Sequence, residues 1–472
     1  MTYRNNDIYF SLEEGYSIVN GSYTIEGFAV TNGQDPDQKI YSGLTVQCGS
    51  DGKMTFEVGR KGSQSVADWF KSNIPASHNT FNENPGDLNF AFIGTLSLNI
   101  KGGSLGKRQE TFIFPKVALA QGHSRFSNNW WFGGRDCSYI QDNRVICYGT
   151  NAAGATVSFV FLRGGNDVST VSVTPKQLID TSNWMKAIND NTLLNQMMMP
   201  GSHDAGMSEL NHCAPPVGAG GMTQTQSGSI GKQLEDGSRY FDIRIDYDYN
   251  ELVTYHRTGR LGCNGQSLIS ILDQARNFLT AHPSEIAILK FSHIRNFNEH
   301  NPAETKERIN DLLNNYSDYI YKNNSMNINL ASIPIKEIRG KIILVFDYPE
   351  FIDPNNGRFR YEDFNGGRQA ENITVYDNYS NTSDYDEMEK DQVGKWKEYG
   401  GLGKDYLFLL SWTLTQNNPL GSSIETLAAE ANGKLPDVLY DQIVKNNFGK
   451  PNIVYIDYLN ANVAQSIIAY NF

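Results

Sequence analysis

Long hydrophobic runs and an excess of positive charge are both missing from this chain. No stretch approaches the roughly 18 apolar residues that cross a bilayer, so we predict no transmembrane segment. The first residues, Met1–Asn6, lack the apolar core of a signal peptide, so export would need a signal already removed or another route. Lysine and arginine number 40 against 52 aspartate and glutamate residues, a net charge of −12. This balance argues against nonspecific nucleic-acid binding and against attachment to anionic membranes by overall charge, while a local basic patch stays open.

Residues 1–175 have the pattern of an all-β domain. Short runs of alternating apolar and polar residues are separated by turn dipeptides such as Asn32-Gly33 and Asp51-Gly52. The predicted strands are Tyr23–Val30, Leu44–Cys48, Met54–Val58, Leu88–Leu98, Thr111–Phe114, Val145–Tyr148 and Thr156–Leu162. Strands at this spacing indicate a sandwich-like domain, and the polar stretch Asn166–Pro175 predicts a linker after it.

Residues 180–472 change to a pattern of strands that alternate with helices. The predicted strands are Gln196–Met199, Tyr240–Ile245, Leu252–His256, Ile286–Ser292, Lys341–Phe346, Ile373–Tyr376, Tyr406–Trp412 and Asn452–Asp457. The clearest helix is Ser267–Ala281, whose apolar residues follow the i, i+3, i+4 spacing of one face. These eight strands with intervening helices predict an α/β fold, a (β/α)8 TIM barrel. Only six residues separate the second and third strands, too few for a helix, so we expect an irregular barrel.

Five cysteines are distributed over both parts of the chain. Cys137 and Cys147 flank a predicted hairpin loop and are either a disulfide or two buried thiols. Cys213 and Cys263 fall in loops that we expect on one face of the barrel, so they can pair as well. Cys48 would then remain unpaired.

Polar residues cluster where the predicted barrel strands end, which is where barrels of this kind hold their catalytic groups. In chain order they are His203, Asp204, Asp242, Arg244, His256, Asp377, Tyr379 and Asp457. Two histidines can move protons at a phosphodiester, and an arginine can stabilise its charge through a planar donor fork. Taken singly, the His203-Asp204 pair also fits a structural turn, and Asp242 with Arg244 fits an inward salt bridge. The order of all these residues at strand ends favours catalysis.

Three segments, Met199–Gly206, Gln233–Arg244 and Gly265–Glu285, have residue patterns in the order and spacing of a known family. The sequence resembles the X domain of the bacterial phosphatidylinositol-specific phospholipases C, closely over residues 185–300 and more faintly to Asp457. The resemblance does not explain residues 1–175. It implies a secreted, monomeric phosphodiesterase that cleaves phosphatidylinositol or a related GPI-type glycolipid at a membrane surface.

The resemblance also implies roles for the acid–base residues. His203 matches the general base and Asp457 the carboxylate that orients it. His256, with Asp204, matches the general acid pair. The 2-hydroxyl of inositol would attack the neighbouring phosphate, so that diacylglycerol leaves and a cyclic inositol phosphate forms.

By the same resemblance the site uses no metal and no other cofactor. Arg244 matches the phosphate-activating arginine of the metal-independent branch, and Asp242 matches the carboxylate beside it. Calcium-using relatives have a carboxylate at the position of Arg244, and a guanidinium repels a cation while it supplies fixed positive charge. Asp377 and Tyr379 match residues that hold the inositol ring and stack on it.

Two departures from the family concern the head-group pocket. The family has a lysine at the end of the fourth strand, where this chain has Ser292. Lys290, on the same strand face, either substitutes for that lysine in substrate binding or pairs with a barrel carboxylate. The fifth strand is followed by Asp347, where a basic residue is expected. So little surplus positive charge disfavours an inositol with additional phosphates.

Two other functions remain open on the sequence alone. A metal-dependent glycerophosphodiesterase uses the same kind of barrel, but its acidic metal ligands conflict with Arg244. A noncatalytic toxin or adhesin that binds lipid or glycan is opposed by the retention of His203 and His256. We expect residues 1–175 to be an accessory domain that targets a membrane or glycan, in which Trp130–Phe132 either contact that surface or fill the core.

Overall fold

The computed structural model describes most of the chain, which divides into two units. The residues described are 4–12, 15–30, 44–58, 69, 72, 88–124, 127–134, 137–140, 144–151, 156–162, 170–177, 179–214, 220–259, 261–295, 302–416 and 421–472. One unit is Met1–Asp180 with the terminal Phe472, and the other is Thr181–Asn471. Within these described ranges, no helix has both the length and the apolar composition that crossing a membrane requires.

In the part of the first unit that the structure describes, eleven strands form one β-sheet. They are β1 (Arg4–Leu12), β2 (Tyr16–Val30), β3 (Thr45–Cys48), β4 (Lys53–Val58), β5 (Leu88–Gly102), β6 (Glu110–Ser124), β7 (Ser127–Gly134), β8 (Cys137–Ile140), β9 (Arg144–Asn151), β10 (Thr156–Leu162) and β11 (Thr170–Gln177). Hydrogen bonds join them in the order β3-β2-β5-β6-β9-β10-β11-β1-β4, with β7 on β6 and β8 on β9. The described pairings are antiparallel except that of β1 with β11. The predicted all-β domain is confirmed.

Apolar residues from several of these strands form one core. Along β5, Leu96, Leu98 and Ile100 are buried at every second position, as in a strand with one inward face. Residues from β1, β2, β4 and β6 belong to the same cluster, so the sheet surrounds it. The hydroxyl of the buried Tyr23 donates to the carbonyl of Val117 at 2.7 Å, which satisfies the polar end of that ring.

The second unit contains a closed barrel of eight parallel strands, which confirms the predicted α/β TIM barrel. The barrel strands are β12 (Met199–Ser202), β14 (Tyr240–Asp248), β17 (Ala287–Arg295), β18 (Ile342–Phe346), β19 (Arg358–Asp363), β20 (Ile373–Asp377), β21 (Leu407–Ser411) and β22 (Ile453–Ile456). Strand β12 pairs with both β14 and β22, which closes the ring. Outside the ring, β13 (Asn211–Ala214), β15 (Glu251–Thr258) and β16 (Leu261–Ser267) extend the sheet from β14 in antiparallel fashion.

The α-helices of the second unit separate most consecutive barrel strands, but β18, β19 and β20 follow one another with no α-helix between them. The helices are α1 (Gly220–Thr223), α2 (Ile230–Glu235), α3 (Leu268–Ala281), α4 (Pro302–Asn314), α5 (Tyr385–Tyr399), α6 (Ile424–Tyr440) and α7 (Ala461–Ile468). Helix α3 confirms the clearest helix of the sequence pattern. The Ser267 hydroxyl caps it by accepting from the backbone N–H of Ser270, and its apolar face, including Leu272 and Phe278, is buried.

One of the eight predicted barrel strands was wrong, and another, Gln196–Met199, shares only Met199 with the observed β12. Leu252–His256 lies in β15, which pairs antiparallel with β14 across the turn Tyr249–Asn250 and stays outside the ring. Both turn residues have positive φ, 50° and 63°, as a tight two-residue hairpin requires. The eighth ring member is β19, Arg358–Asp363, which the sequence pattern did not predict. Its apolar residues Phe359 and Tyr361 alternate with charged ones, so it lacks the continuous apolar run typical of parallel strands.

The predicted linker was also wrong over its second half. Thr170–Gln177 is β11, which lies between β10 and β1 in the sheet. Residues 166–169 lie outside the described part of the chain. Val171 and Val173 alternate with polar residues, and this composition is compatible with a β-strand as well as with a linker.

Disulfides occur in both units. Cys213 and Cys263 are bonded and join β13 to β16, so their predicted pairing is confirmed, although both lie on strands instead of loops. Cys147 is also disulfide-bonded and lies opposite Cys137 in the ladder of β8 and β9. Cys48 is a buried free thiol.

Candidate active site

A cleft of 390 Å³ opens at the carboxyl ends of the barrel strands. Because neighbouring parallel strands end at the same edge, residues far apart in the chain meet there. The nine residues proposed from the sequence all line it: His203, Asp204, Asp242, Arg244, His256, Lys290, Asp377, Tyr379 and Asp457. Other lining residues include Ser292, His293, Asp347, Asp363, Thr413 and Tyr455.

His203 and Asp457 come together because their strands are neighbours. Strand β12 ends at Ser202 beside Ile456, the last residue of β22, so the next residues leave the barrel side by side. The His203 Nδ1 lies 2.8 Å from an oxygen of the buried Asp457. With Nδ1–H donating to this carboxylate, Nε2 keeps its lone pair available to the cleft.

The charges around His203 favour its protonated form. Burial by itself disfavours the imidazolium, but the carboxylates of Asp457 and Asp204 outweigh burial and raise the pKa of His203 to about 9. The nearby guanidinium of Arg244 opposes them in part. These surroundings therefore favour the imidazolium form of His203.

Asp204 is shared by the other ionisable groups of the site. It is 2% exposed, and its backbone is in the left-handed region with φ 39°. One carboxylate oxygen lies 3.1 Å from Nδ1 of His256, and the other lies 2.6 Å from Nε of Arg244. The Nε2 of His203 is 3.6 Å away. A single buried carboxylate thus faces both histidines and the arginine.

His256 has the opposite pKa shift. Burial is the largest cause and lowers the pKa of its imidazole. The positive charges of Arg244 and His203 lower it further, and Asp204 compensates only in part. In the empty cleft, a single proton therefore resides on His203 more readily than on His256.

Arg244 and Asp242 lie two residues apart on β14 and therefore face the same side. The Arg244 Nε is 3.0 Å from Asp242, and its Nη2 is 3.3 Å from Nε2 of His203. Burial would lower the arginine pKa, but Asp204 and Asp242 raise it. Burial would likewise raise the Asp242 pKa, but Arg244 and Lys290 hold it well below its usual range. These groups stay charged in the interior.

The same carboxylates offer a geometry that a cation would accept. His203, Asp204 and Asp242 each provide an atom within 4.8 Å of the others. The guanidinium of Arg244 contacts both carboxylates directly. A cation at this position would meet that fixed positive charge and be repelled by it.

A second group of charges lines another wall of the cleft. The Lys290 ammonium lies 3.0 Å from Asp377, and the Tyr361 hydroxyl is 3.1 Å from the same carboxylate. Burial would lower the pKa of Lys290, but Asp377 and its neighbours raise it, so the lysine is cationic. Tyr379 lines the cleft with 57% of its surface exposed, which leaves its ring available to a bound ligand.

Several lining residues were not predicted from the sequence, among them His293 and Asp363. His293 follows Ser292 with φ 51°, and its Nδ1 lies 3.1 Å from the Ser292 hydroxyl, which itself donates to Asp242. Asp363 ends β19, and the Tyr361 hydroxyl lies 3.1 Å from it. Asp363 was missed because its strand was missed. His293 had a signal, since it follows directly on a predicted strand end.

Comparisons with known proteins bear on the barrel. No protein-family model matches the chain. A 1-phosphatidylinositol phosphodiesterase of Listeria monocytogenes is 32% identical over 170 residues, which cover 36% of this chain and 50% of the relative. The 1-phosphatidylinositol phosphodiesterase of Staphylococcus aureus is 29% identical over 168 residues, 34% of this chain and 49% of the relative. The chain thus spans about half the length of the curated relatives it matches.

The solved structures that align with this chain include phosphatidylinositol-specific phospholipases C from the same two bacteria. A phosphatidylinositol-specific phospholipase C from Listeria monocytogenes has a TM-score of 0.46 at 21% identity, with 62% of this chain and 99% of the other covered. One from Staphylococcus aureus has a TM-score of 0.47 at 22% identity, with 61% and 97% covered. The sequence relatives confirm the resemblance that the motifs suggested: over 170 and 168 residues, this chain is similar to bacterial 1-phosphatidylinositol phosphodiesterases.

Proposed function

We propose that this chain cleaves phosphatidylinositol, or a GPI-type lipid built on it, between the phosphate and diacylglycerol without a metal. The observation that carries the proposal is the pair of histidines with opposite pKa shifts around one arginine and one shared carboxylate. Groups whose surroundings separate their pKa values are the usual arrangement for a base and an acid in one site.

The base step needs a neutral His203. Its Nδ1–H donates to Asp457, so Nε2 can take the proton of the inositol 2-hydroxyl. The hydroxyl oxygen then forms a bond to phosphorus. Asp457 stabilises the imidazolium that results, and for the same reason it raises the pKa of His203.

The acid step needs a protonated His256. An anionic phosphodiester in the cleft adds negative charge, which favours a proton on a nearby imidazole. As the phosphorus–oxygen bond to diacylglycerol breaks, His256 gives its proton to the leaving oxygen. The product is a cyclic inositol phosphate. In a slower hydrolysis, water gives a proton to the now neutral His256 and attacks phosphorus, and His203 returns its proton to the inositol 2-oxygen as the bond from that oxygen to phosphorus breaks.

Arg244 supplies the electrostatic stabilisation. Its guanidinium is fixed by Asp204 and Asp242, so its orientation costs little when the substrate binds. A planar donor fork matches two phosphate oxygens better than an ammonium does. We infer that this arginine takes the part that a metal ion plays in calcium-using relatives.

The wall formed by Lys290, Asp377 and Tyr379 is suited to a neutral polyol. Its charged groups offer both donors and acceptors to ring hydroxyls, and Tyr379 offers an exposed aromatic face. Asp347 and Asp363 add negative charge to the cleft lining. An inositol ring with further phosphates would be repelled there, so unsubstituted phosphatidylinositol is the expected substrate.

One assay tests this function directly. The full chain is incubated with phosphatidylinositol vesicles and excess chelator, and the phosphorus NMR spectrum is followed. We expect a cyclic inositol phosphate signal that appears first and decays slowly. A rate that chelator abolishes and calcium restores would contradict the proposal. Hydrolysis of glycerophosphodiesters that needs a metal would support the glycerophosphodiesterase instead.

We further propose that the protein acts outside the cell as a monomer at a membrane surface. The basis is the sequence similarity to bacterial 1-phosphatidylinositol phosphodiesterases, whose name gives a membrane lipid as their substrate. Light scattering on the purified chain tests the oligomeric state, and a mass near 52.8 kDa is the expected result.

A further inference from the structure

A buried dipeptide outside the cleft is bonded to both loops that carry the His203–Asp457 pair. Thr225 and Gln226 lie between α1 and α2, and both are fully buried. Neither belongs to the lining of the cleft as described. Their polar groups are therefore free to form hydrogen bonds with neighbouring backbone groups.

Gln226 bridges the ends of two strands. Its side-chain NH2 donates to the carbonyl of His203 at 3.0 Å and to the carbonyl of Ile456 at 3.2 Å. Its side-chain oxygen accepts from the backbone N–H of Leu459 at 3.0 Å. One amide thus connects the loop after β12 to the loop after β22.

Thr225 bonds the same two loops. Its hydroxyl donates to the carbonyl of Asp204 at 2.9 Å, and its own carbonyl accepts from the backbone N–H of Tyr458 at 2.7 Å. Asp204 and Tyr458 have φ of 39° and 48°, a region that costs free energy for residues other than glycine. Strained conformations of this kind persist only where the surroundings hold them, and Thr225 bonds to both residues.

We propose that Thr225 and Gln226 form a clamp that positions His203 against Asp457. The paired residues of β12 and β22 end at Ser202 and Ile456, and the His203 N–H makes one more backbone bond, to the Ile456 carbonyl at 3.1 Å, so the catalytic pair lies at the very end of the ladder. Without the clamp, the two loops lose the bonds made by Thr225 and Gln226, and the distance between the two side chains is less firmly fixed. Displacement by about 1 Å can cost about 100-fold in rate. Gln226 touches no substrate and is a positioning residue. The kinetic part of this inference rests on the proposed function.

A merely structural role is the competing explanation, and the chain offers a matched control. Asn452 is also fully buried, and it makes the same set of bonds at the opposite end of β22. Its side-chain NH2 donates to the carbonyls of Asn195 and Met197, and its oxygen accepts from the N–H of Phe408. Removal of either amide costs similar stability, but only Gln226 lies beside the catalytic pair.

The experiment compares Gln226→Met with Asn452→Leu in the full chain, since both replacements keep the side-chain shape. We expect both variants to melt at a similarly lowered temperature. Turnover on phosphatidylinositol should fall at least about tenfold further in Gln226→Met than in Asn452→Leu. The NMR titration of His203 should move from about 9 toward 6.5 in Gln226→Met alone, because the imidazole loses its close contact with Asp457.

Equal turnover and equal His203 titration in the two variants would overturn the proposal. If Gln226→Met does not fold, Thr225→Val removes one clamp bond at smaller cost, and the same two readouts decide. A wild-type chain that is inactive on phosphatidylinositol would reject the proposed function. The titration of His203 would still test the clamp, since it needs no substrate.

Discussion

The two histidines of the cleft differ in the charges that surround them. His203 contacts Asp457 and lies near Asp204, whereas His256 contacts Asp204 alone and shares it with Arg244. Burial lowers the pKa of both rings. Only at His203 do two carboxylates outweigh this effect of burial, so the pKa values of the two imidazoles lie far apart.

At the residue scale, we expect a bell-shaped pH profile of kcat/KM, which reports the free enzyme. The reactive form holds one proton on the pair, with His203 neutral and His256 charged. The singly protonated pair exists above the lower pKa, that of His256 below 6.5, and below the upper pKa, that of His203 near 9. Activity should therefore rise with pH through the first value and fall through the second. Initial rates on a soluble substrate across this range provide the measurement.

Asp457→Asn should move the alkaline limb of that profile to lower pH. The carboxylate charge that raises the His203 pKa is then gone, so His203 loses its proton at a lower pH. Asp190→Asn is the matched control, because this carboxylate is paired with Arg339 and does not line the cleft. An alkaline limb that stays in place in Asp457→Asn would refute the assignment of that limb to His203.

His203→Ala and His256→Ala should each lower turnover by roughly 100-fold or more, the scale of a positioned acid–base group. His282→Ala, at the end of α3 and outside the cleft lining, serves as the control and should keep its rate. Circular dichroism shows whether each variant is folded. Near-normal turnover in a folded His203 or His256 variant would remove that residue from the mechanism.

At the scale of elements, the hairpin β15–β16 delivers His256 from outside the ring of the barrel. His256 lies opposite Cys263 in the ladder, and Cys263 is bonded to Cys213. The disulfide spans 50 residues and so restricts the unfolded chain considerably. It therefore secures the hairpin that carries the proposed general acid.

Replacing both cysteines by serine should lower the free energy of unfolding by up to about 4 kcal/mol, the loop-entropy scale for this separation. Turnover should fall only a few-fold, because Asp204 still holds His256. Urea unfolding is the measurement, and Cys48→Ala, a free thiol in the first unit, is the control. An unchanged unfolding free energy in the double variant would show that the disulfide adds no stability.

Elements were predictable from the sequence where their own residues determine them. Helix α3 was found because its cap, apolar face and length are all local features. Strand β19 was missed because its buried Phe359 and Tyr361 alternate with charged residues. The partners of those charged residues are brought close by the fold, and a local sequence pattern does not show them. Strand β15 was assigned to the ring because its apolar run resembles that of a parallel strand, although a short connection forces it into a hairpin.

At the scale of the whole molecule, the described residues that line the cleft run from residue 203 to residue 457, and all belong to the second unit. We propose that the first unit is an accessory domain that brings the enzyme to a membrane or glycan surface. A net charge of −12 provides no general attraction to anionic lipid, so a specific device is needed. Trp130–Phe132 remain candidates: their backbone lies in β7, and their side chains are outside the described residues.

A fragment of residues 180–472 should keep its rate on a short-chain soluble substrate and lose rate on vesicles. Tethering raises the local substrate concentration without changing the chemical step. This start keeps Thr181 and Trp184, which bond to the carbonyls of Glu235 and Gly237 in the barrel unit. Equal vesicle activity with and without the first unit would reject targeting. An insoluble fragment would indicate that the first unit stabilises the barrel instead.

The sequence by itself determined the two-part division into β-rich and barrel segments and nine of the residues that line the cleft. It could do so because parallel barrel strands carry their terminal residues to one edge, whatever the details of packing. Only the tertiary structure decided which strands close the ring, that Asp204 is shared by Arg244 and His256, and that the histidines shift in opposite directions. These properties depend on burial and on distances between residues as far apart as His203 and Asp457, 254 positions along the chain, which no local pattern contains.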